Sequence, residues 1–113
     1  MLAACPRGVG NDDFMEKIAP FKSPQEVLNS DQFTLDGYKL GYQRILRLAR
    51  WGSGGKMFIV TQMDKNTARK LFFKPFDSLE NAITEAKKMT TDNPHIAVLP
   101  DGILTVPIPK VEK

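Results

Sequence analysis

Three stretches of the chain carry side chains suited to chemistry. The first is the opening, Met1-Leu2-Ala3-Ala4-Cys5-Pro6-Arg7-Gly8-Val9-Gly10-Asn11-Asp12-Asp13-Phe14. A short apolar run stops at Cys-Pro, two glycines follow, and Asn11 and the aspartates give a helix start. This reads as a buried strand, a tight glycine loop and a helix, the entry of an α/β domain. In such folds, sites form at the carboxyl ends of strands, where loops of this kind sit. Cys5 stands at a strand end beside a helix N-terminus, a setting that activates thiols. As a lone cysteine it also suits the role of a small buried hydrophobe. Gly8-x-Gly10 is half of a dinucleotide fingerprint. Asp13 takes the place of the third glycine, and with Asp12 it puts negative charge where a phosphate would lie. A structural turn that needs positive φ accounts for the glycines more simply, with a contact surface for another domain's site between the two readings.

The second stretch is the row Arg44, Arg47 and Arg50, followed by Trp51. Such a row grips phosphates or meets an acidic partner. No glutamates are interleaved on this face, but no RNA-module aromatic pattern accompanies it, so it reads as a solvated or interdomain surface. The third is His95, the only histidine. A general base or metal ligand needs partners around it. Only Asp92 and Asp101 are near in sequence, and turn chemistry already explains them. There is no Ser-His-Asp set, no P-loop and no metal-ligand cluster, and one Cys with one His argues against zinc. No residue is assigned a catalytic or metal-binding role, and no cofactor is expected in this chain alone.

The elements that must position these residues follow from caps and periodicity. The first helix carries Phe14, Met15 and Ile18 on its apolar side and stops at Pro20. Ser23-Pro24-Gln25-Glu26 spells a second start, with Ser23 as N-cap, Pro24 at N1 and Glu26 closing a capping box. Val27 and Leu28 are its buried side, and it ends near Asn29-Ser30. The longest helix is expected from Asp36 to about Arg50. Tyr38, Tyr42, Ile45 and Ala49 recur along one face, and Gly52-Ser53-Gly54-Gly55 ends it in a flexible turn. Lys56 to Thr61 is the clearest strand, and its consecutive apolar residues suit a parallel sheet covered on both faces. Asp64-Lys65-Asn66 begins a short helix, and Phe72 to Phe76 is extended. Asp77 or Ser78 caps a helix with Leu79, Ala82, Ile83 and Ala86 as its buried stripe. His95 to Leu99 and Ile103 to Val106 read as two further strands, with Pro107 and Pro109 preventing continued pairing. The order predicts an α/β fold: a three-layer-type sandwich with a small, mostly parallel sheet and flanking helices, one domain over residues 1–113.

Composition bounds the remaining classes. At 113 residues the chain can bury roughly two-thirds of its unfolded surface, enough for a core. Its 42% apolar and 26% charged residues are ordinary for a globular protein. A net charge of +3 is a weak footprint for nucleic acid, so no nucleic-acid partner is expected. No secretory leader and no membrane-length apolar run is recognised, so a cytoplasmic location without membrane partners is expected.

Two motifs resemble a known family. Ala4-Cys5-Pro6-Arg7-Gly8-Val9-Gly10-x-x-x-Phe14 is similar to the strand and loop that open the last part of nickel-dependent lactate racemases and their relatives. Ile96-Ala97-Val98-Leu99-Pro100-Asp101-Gly102-x-x-Thr105-Val106-Pro107 resembles their C-terminal ending, and the elements between follow in matching order. The resemblance implies a C-terminal domain from a longer two-domain protein, with the active site in the cleft between domains. It implies a nickel-pincer nucleotide, tethered to a lysine, that takes a hydride from the α-carbon of a small 2-hydroxy acid and returns it to either face. The tethering lysine and the acid, base and nickel-binding histidines would belong to the N-terminal catalytic domain, the implied partner. Some lactate racemases carry a tryptophan near the start of the long helix. This chain reads Asp36-Gly37-Tyr38-Lys39-Leu40-Gly41 there, without a tryptophan and with Tyr38 in that region, so the resemblance implies a racemase or epimerase of 2-hydroxy acids rather than of lactate in particular.

Two functions follow from this. In the first, the chain is one wall of an interdomain racemase or epimerase cleft, inactive alone, with Cys5, Arg7, Gly8, Gly10, Asn11 and Tyr38 as the positions facing cofactor or substrate. In the second, it is a stand-alone ligand-binding or interaction module that uses the Arg44, Arg47 and Arg50 face.

Overall fold

A computed structural model describes residues 1–10, 12–33, 41–102, 104–108 and 110. Among these residues five helices and two strands follow in the order α1 (Asp12–Ile18), α2 (Pro24–Leu28), α3 (Tyr42–Gly54), β1 (Phe58–Val60), α4 (Lys65–Lys70), β2 (Lys74–Phe76) and α5 (Leu79–Lys88), with a 3-10 turn at Asp31–Phe33 before α3. The fold is a small α/β domain, as the element order predicts.

The sheet is short and parallel. β1 pairs with β2 in the register Phe58 to Lys74, Ile59 to Pro75 and Val60 to Phe76. On its other edge β1 receives the opening residues: Leu2 bridges Val60 in parallel, the Ala3 N–H donates to the Val60 carbonyl at 3.1 Å, and the Val60 N–H donates to the Met1 carbonyl at 3.0 Å. β1 therefore runs down the middle. Its side chains alternate, as a strand requires. Ile59 is buried with Ile45 and Ala49 of α3, Ile18 of α1 and Val27 of α2. Phe58 packs instead against Phe76, with ring centroids 4.9 Å apart. On that side Lys74 reaches Glu85 of α5 at 2.8 Å, so helices flank both faces of the sheet.

Caps mark most helix starts where the residue types put them. The Ser23 hydroxyl accepts the Glu26 N–H at 3.2 Å, with Pro24 at the first helical position. The Glu26 carboxylate reaches one residue further back than a capping box requires and accepts the Lys22 N–H at 2.7 Å. Asp64 caps α4 through the Thr67 N–H at 2.9 Å, and Ser78, rather than Asp77, caps α5 through Asn81. The long helix departs from expectation at both ends. It enters at Tyr42 behind Gly41, whose φ of 98° lies in the left-handed region, and not at Asp36, which lies outside the described residues. It also continues through Gly52 and Ser53 to Gly54. Packing explains the continuation. A Cβ on Gly52 would lie 2.7 Å from Pro24 Cγ, so Gly52 lets α2 approach the α3 backbone closely.

Other differences lie near the chain's end. His95 to Leu99 pairs with no strand among the described residues, and Ile96 and Val98 are exposed. Leu104 to Val106 is likewise unpaired, while Ile103 lies outside the described residues. Pro94 and Pro100 flank the first of these segments and withhold N–H groups a ladder would use. On α5 only Ala82 is buried, and Leu79 and Ile83 are exposed, because a sheet this narrow covers only part of the stripe.

Two predictions follow. Gly52→Ala should lower stability by about 1–3 kcal/mol, although alanine favours helix, because the proline ring cannot move aside. Urea denaturation checks this, and a gain in stability would contradict it. The second concerns acid. The Thr67 N–H holds the Asp64 carboxyl below its ordinary range. The hydrogen bond from Lys74 does the same for Glu85. Groups lowered on folding contribute stability above their unfolded-chain pKa, and the contribution is lost as pH falls through the folded value. The urea midpoint should hold from neutrality to about pH 5 and fall below it. In the Asp64→Asn, Glu85→Gln double variant that acid drop should be smaller.

Candidate functional site

The opening loop lies at the carboxyl end of β1. Its base is fixed at the Ala4 carbonyl, which accepts the Gln62 N–H at 2.9 Å and the Thr61 hydroxyl at 3.1 Å. The same Thr61 oxygen accepts the Met63 N–H at 3.1 Å, so one hydroxyl ties the loop to the turn after β1. The chain then turns, with the Gly8 N–H donating to the Cys5 carbonyl at 3.0 Å. Gly8 and Gly10 adopt φ of 70° and 76°, the conformation for which glycine is suited. Cys5 adopts φ of 42° without that freedom, a conformation costing of order 1–3 kcal/mol. The bonds on either side of it hold it there. The thiol is half-buried at the edge of the core, which matches the small-hydrophobe reading.

Cys5, Arg7, Gly8 and Gly10 line one open hollow of about 570 Å3. Added Cβ atoms at Gly8 or Gly10 would meet nothing within 4 Å, so backbone is presented directly to the opening. Asn11 and Tyr38, the other two sequence candidates, lie outside the described residues.

A second hollow, of about 360 Å3, runs between α1 and α3. Phe14 and Lys17, three residues apart, project from α1. Arg44 with Leu48 and Arg47 with Trp51, each pair four apart, project from α3. Val9 lines this groove and the loop hollow alike, so the two share a wall. Lys17 pairs with Asp13 at 2.5 Å and lies over the Tyr42 ring, 5.5 Å from its centroid. Arg44 and Arg47 are exposed and have no carboxylate partner among the described residues. Arg50 lines a neighbouring hollow with Gln43 and Leu46, which shares Arg47 and Trp51 with the groove.

The structure thus brings together two features the sequence presents separately, the glycine loop and the first two arginines of the row. Helical spacing shows which side chains share a face of α1 or of α3. It does not show that the two faces meet, since that depends on contacts far apart in sequence. His95 stands apart: it is exposed, on the unpaired segment. Among the described residues no three His, Cys, Asp or Glu side chains gather to hold a metal ion, and no helix is long and apolar enough to cross a membrane.

Against known families, residues 1–106 match the lactate racemase C-terminal domain. The chain therefore belongs to that family. Comparison with curated proteins and with solved structures found no match.

The tie at Thr61 gives a direct test of what fixes the loop. Thr61→Val keeps the shape but removes one donor and one acceptor, and should cost about 1–2 kcal/mol. Amide exchange at Gly8 should quicken more than exchange in α3. Uniform loss across both would show that the hydroxyl supports the whole fold rather than the loop.

Proposed function

We propose that this lactate racemase C-terminal domain forms one wall of the interdomain cleft of a longer, cytoplasmic 2-hydroxyacid racemase or epimerase, and is inactive alone. The family match over residues 1–106 carries this reading. The position of the glycine loop, at the carboxyl end of β1 where α/β folds build their sites, supports it.

The described residues of this chain offer no ligand set for the nickel of the pincer nucleotide the family implies. No metal-binding cluster is found among the described residues, and the single histidine is exposed on an unpaired segment. That group would be held by the N-terminal domain. What this chain brings is shape and charge. Gly8 and Gly10 offer backbone without side chains in the way, and the exposed Arg7 guanidinium can pair with a carboxylate in two-pronged fashion. Closing this wall over the opposite domain would exclude water from the reacting carbon. The sequence has no tryptophan at the start of the long helix, so the substrate class is kept at 2-hydroxy acids rather than narrowed to lactate.

Chiral chromatography tests the reading, with the full-length parent and the 113-residue chain each supplied with pincer cofactor and a panel of 2-hydroxy acids. Interconversion is expected from the parent alone, and conversion by the isolated chain would overturn the cleft-wall role. In the parent, Arg7→Ala should lower kcat/KM by roughly 10- to 100-fold, the loss of one charge-assisted pair.

A further inference from the structure

We propose that the groove between α1 and α3 is a binding site for a small organic carboxylate with an aromatic body. Its volume of about 360 Å3 falls in the range of small-molecule sites and exceeds what a three-carbon acid fills. Its charges are unevenly committed. Lys17 is already bound to Asp13, whereas Arg44 and Arg47, one turn apart on α3, have no carboxylate partner among the described residues. A guanidinium presents a planar fork of donors that matches a carboxylate. The apolar wall is equally uncommitted: Trp51 is 58% exposed, leaving most of an indole in water beside the guanidiniums. A planar ring laid on Trp51 and Phe14, with its carboxylate toward Arg44 and Arg47, satisfies both walls at once. Asp13 in the same groove favours a single negative charge over a phosphate dianion. Of the arginine row only Arg44 and Arg47 line this groove; Arg50 lies on the far side of Arg47 and Trp51, in the adjoining hollow.

Trp51 is the only tryptophan, so its fluorescence reports binding directly, without cofactor or parent protein. The chain is titrated with phenylacetate, 3-phenyllactate, lactate, benzyl alcohol and phenyl phosphate, with amide shifts from two-dimensional NMR as the second readout. The two aromatic carboxylates should bind with Kd on the order of 1 mM, shifting Phe14, Leu48 and Trp51. Lactate, lacking the ring, and benzyl alcohol, lacking the charge, should bind at least about tenfold more weakly. Arg44→Glu with Arg47→Glu should abolish binding, while Arg50→Glu should leave Kd within about twofold. Trp51→Ala, followed by NMR, should weaken binding with the fold intact, and it serves if the double variant does not fold. No saturable shift by about 10 mM would overturn the proposal. Lactate binding as tightly as phenyllactate, tighter binding of phenyl phosphate, or equal loss in Arg50→Glu would each overturn it too. Failure here leaves the racemisation test untouched, since that test concerns the parent's chemistry.

Discussion

A ladder of backbone hydrogen bonds joins residues 1–4 to β1 and the residue pair after it, and the rest of the molecule takes its orientation from it. Parallel pairing fixes direction as well as position. Once Ala3 and Val60 are bonded, the chain must leave the sheet at the same end as β1, and the Ala4 carbonyl must meet Gln62. The loop that follows can then only turn over the carboxyl end. Its strained Cys5 and its two left-handed glycines are consequences of reversing direction within so few residues. A shift of one residue in this pairing would turn the half-buried Ala3 and Cys5 outward and carry the loop away from α1.

The helices answer to the same strand. Ile59, the buried residue of β1, is where side chains from α1, α2 and α3 converge. An aromatic series reinforces that side: Phe21 packs on Phe33 at 5.6 Å, and Phe33 meets the edge of Tyr42 at 4.8 Å. Tyr42 opens α3, so the series sets where the helix carrying the arginines begins. On the opposite face the packing is thinner and the interactions are polar, with Lys74 lying over the rings of Phe58 and Phe76 while it pairs with Glu85. Apolar burial dominates one side of the sheet and charge the other. The groove belongs to the apolar side.

Local chemistry was readable in the sequence wherever one or two turns decide the outcome. Ser23-Pro24 and Asp64 start helices because their side chains satisfy an N–H three residues on, a matter of a few ångströms. The consecutive apolar residues after Lys56 gave a central strand. The long helix could be read for its face but not for its ends. Gly52 looked like a terminator by its own propensity, yet Pro24 from another helix decides its role. The apolar run from His95 onward has the composition of a strand but lacks a paired neighbour among the described residues, which no local pattern can supply. The glycine loop was legible as a turn, whereas its adjacency to Arg44 and Arg47 was not, because it arises only when α1 and α3 pack.

The unpaired segment has a consequence for self-association. Ile96, Val98, Leu104, Val106 and Ile108 are all largely exposed, a composition that ordinarily recruits other chains into stacked sheets. Pro94, Pro100 and Pro107 interrupt it at short intervals, and each removes a donor from any growing ladder. The same residues that deny this segment a place in the domain's own sheet act as gatekeepers against self-association.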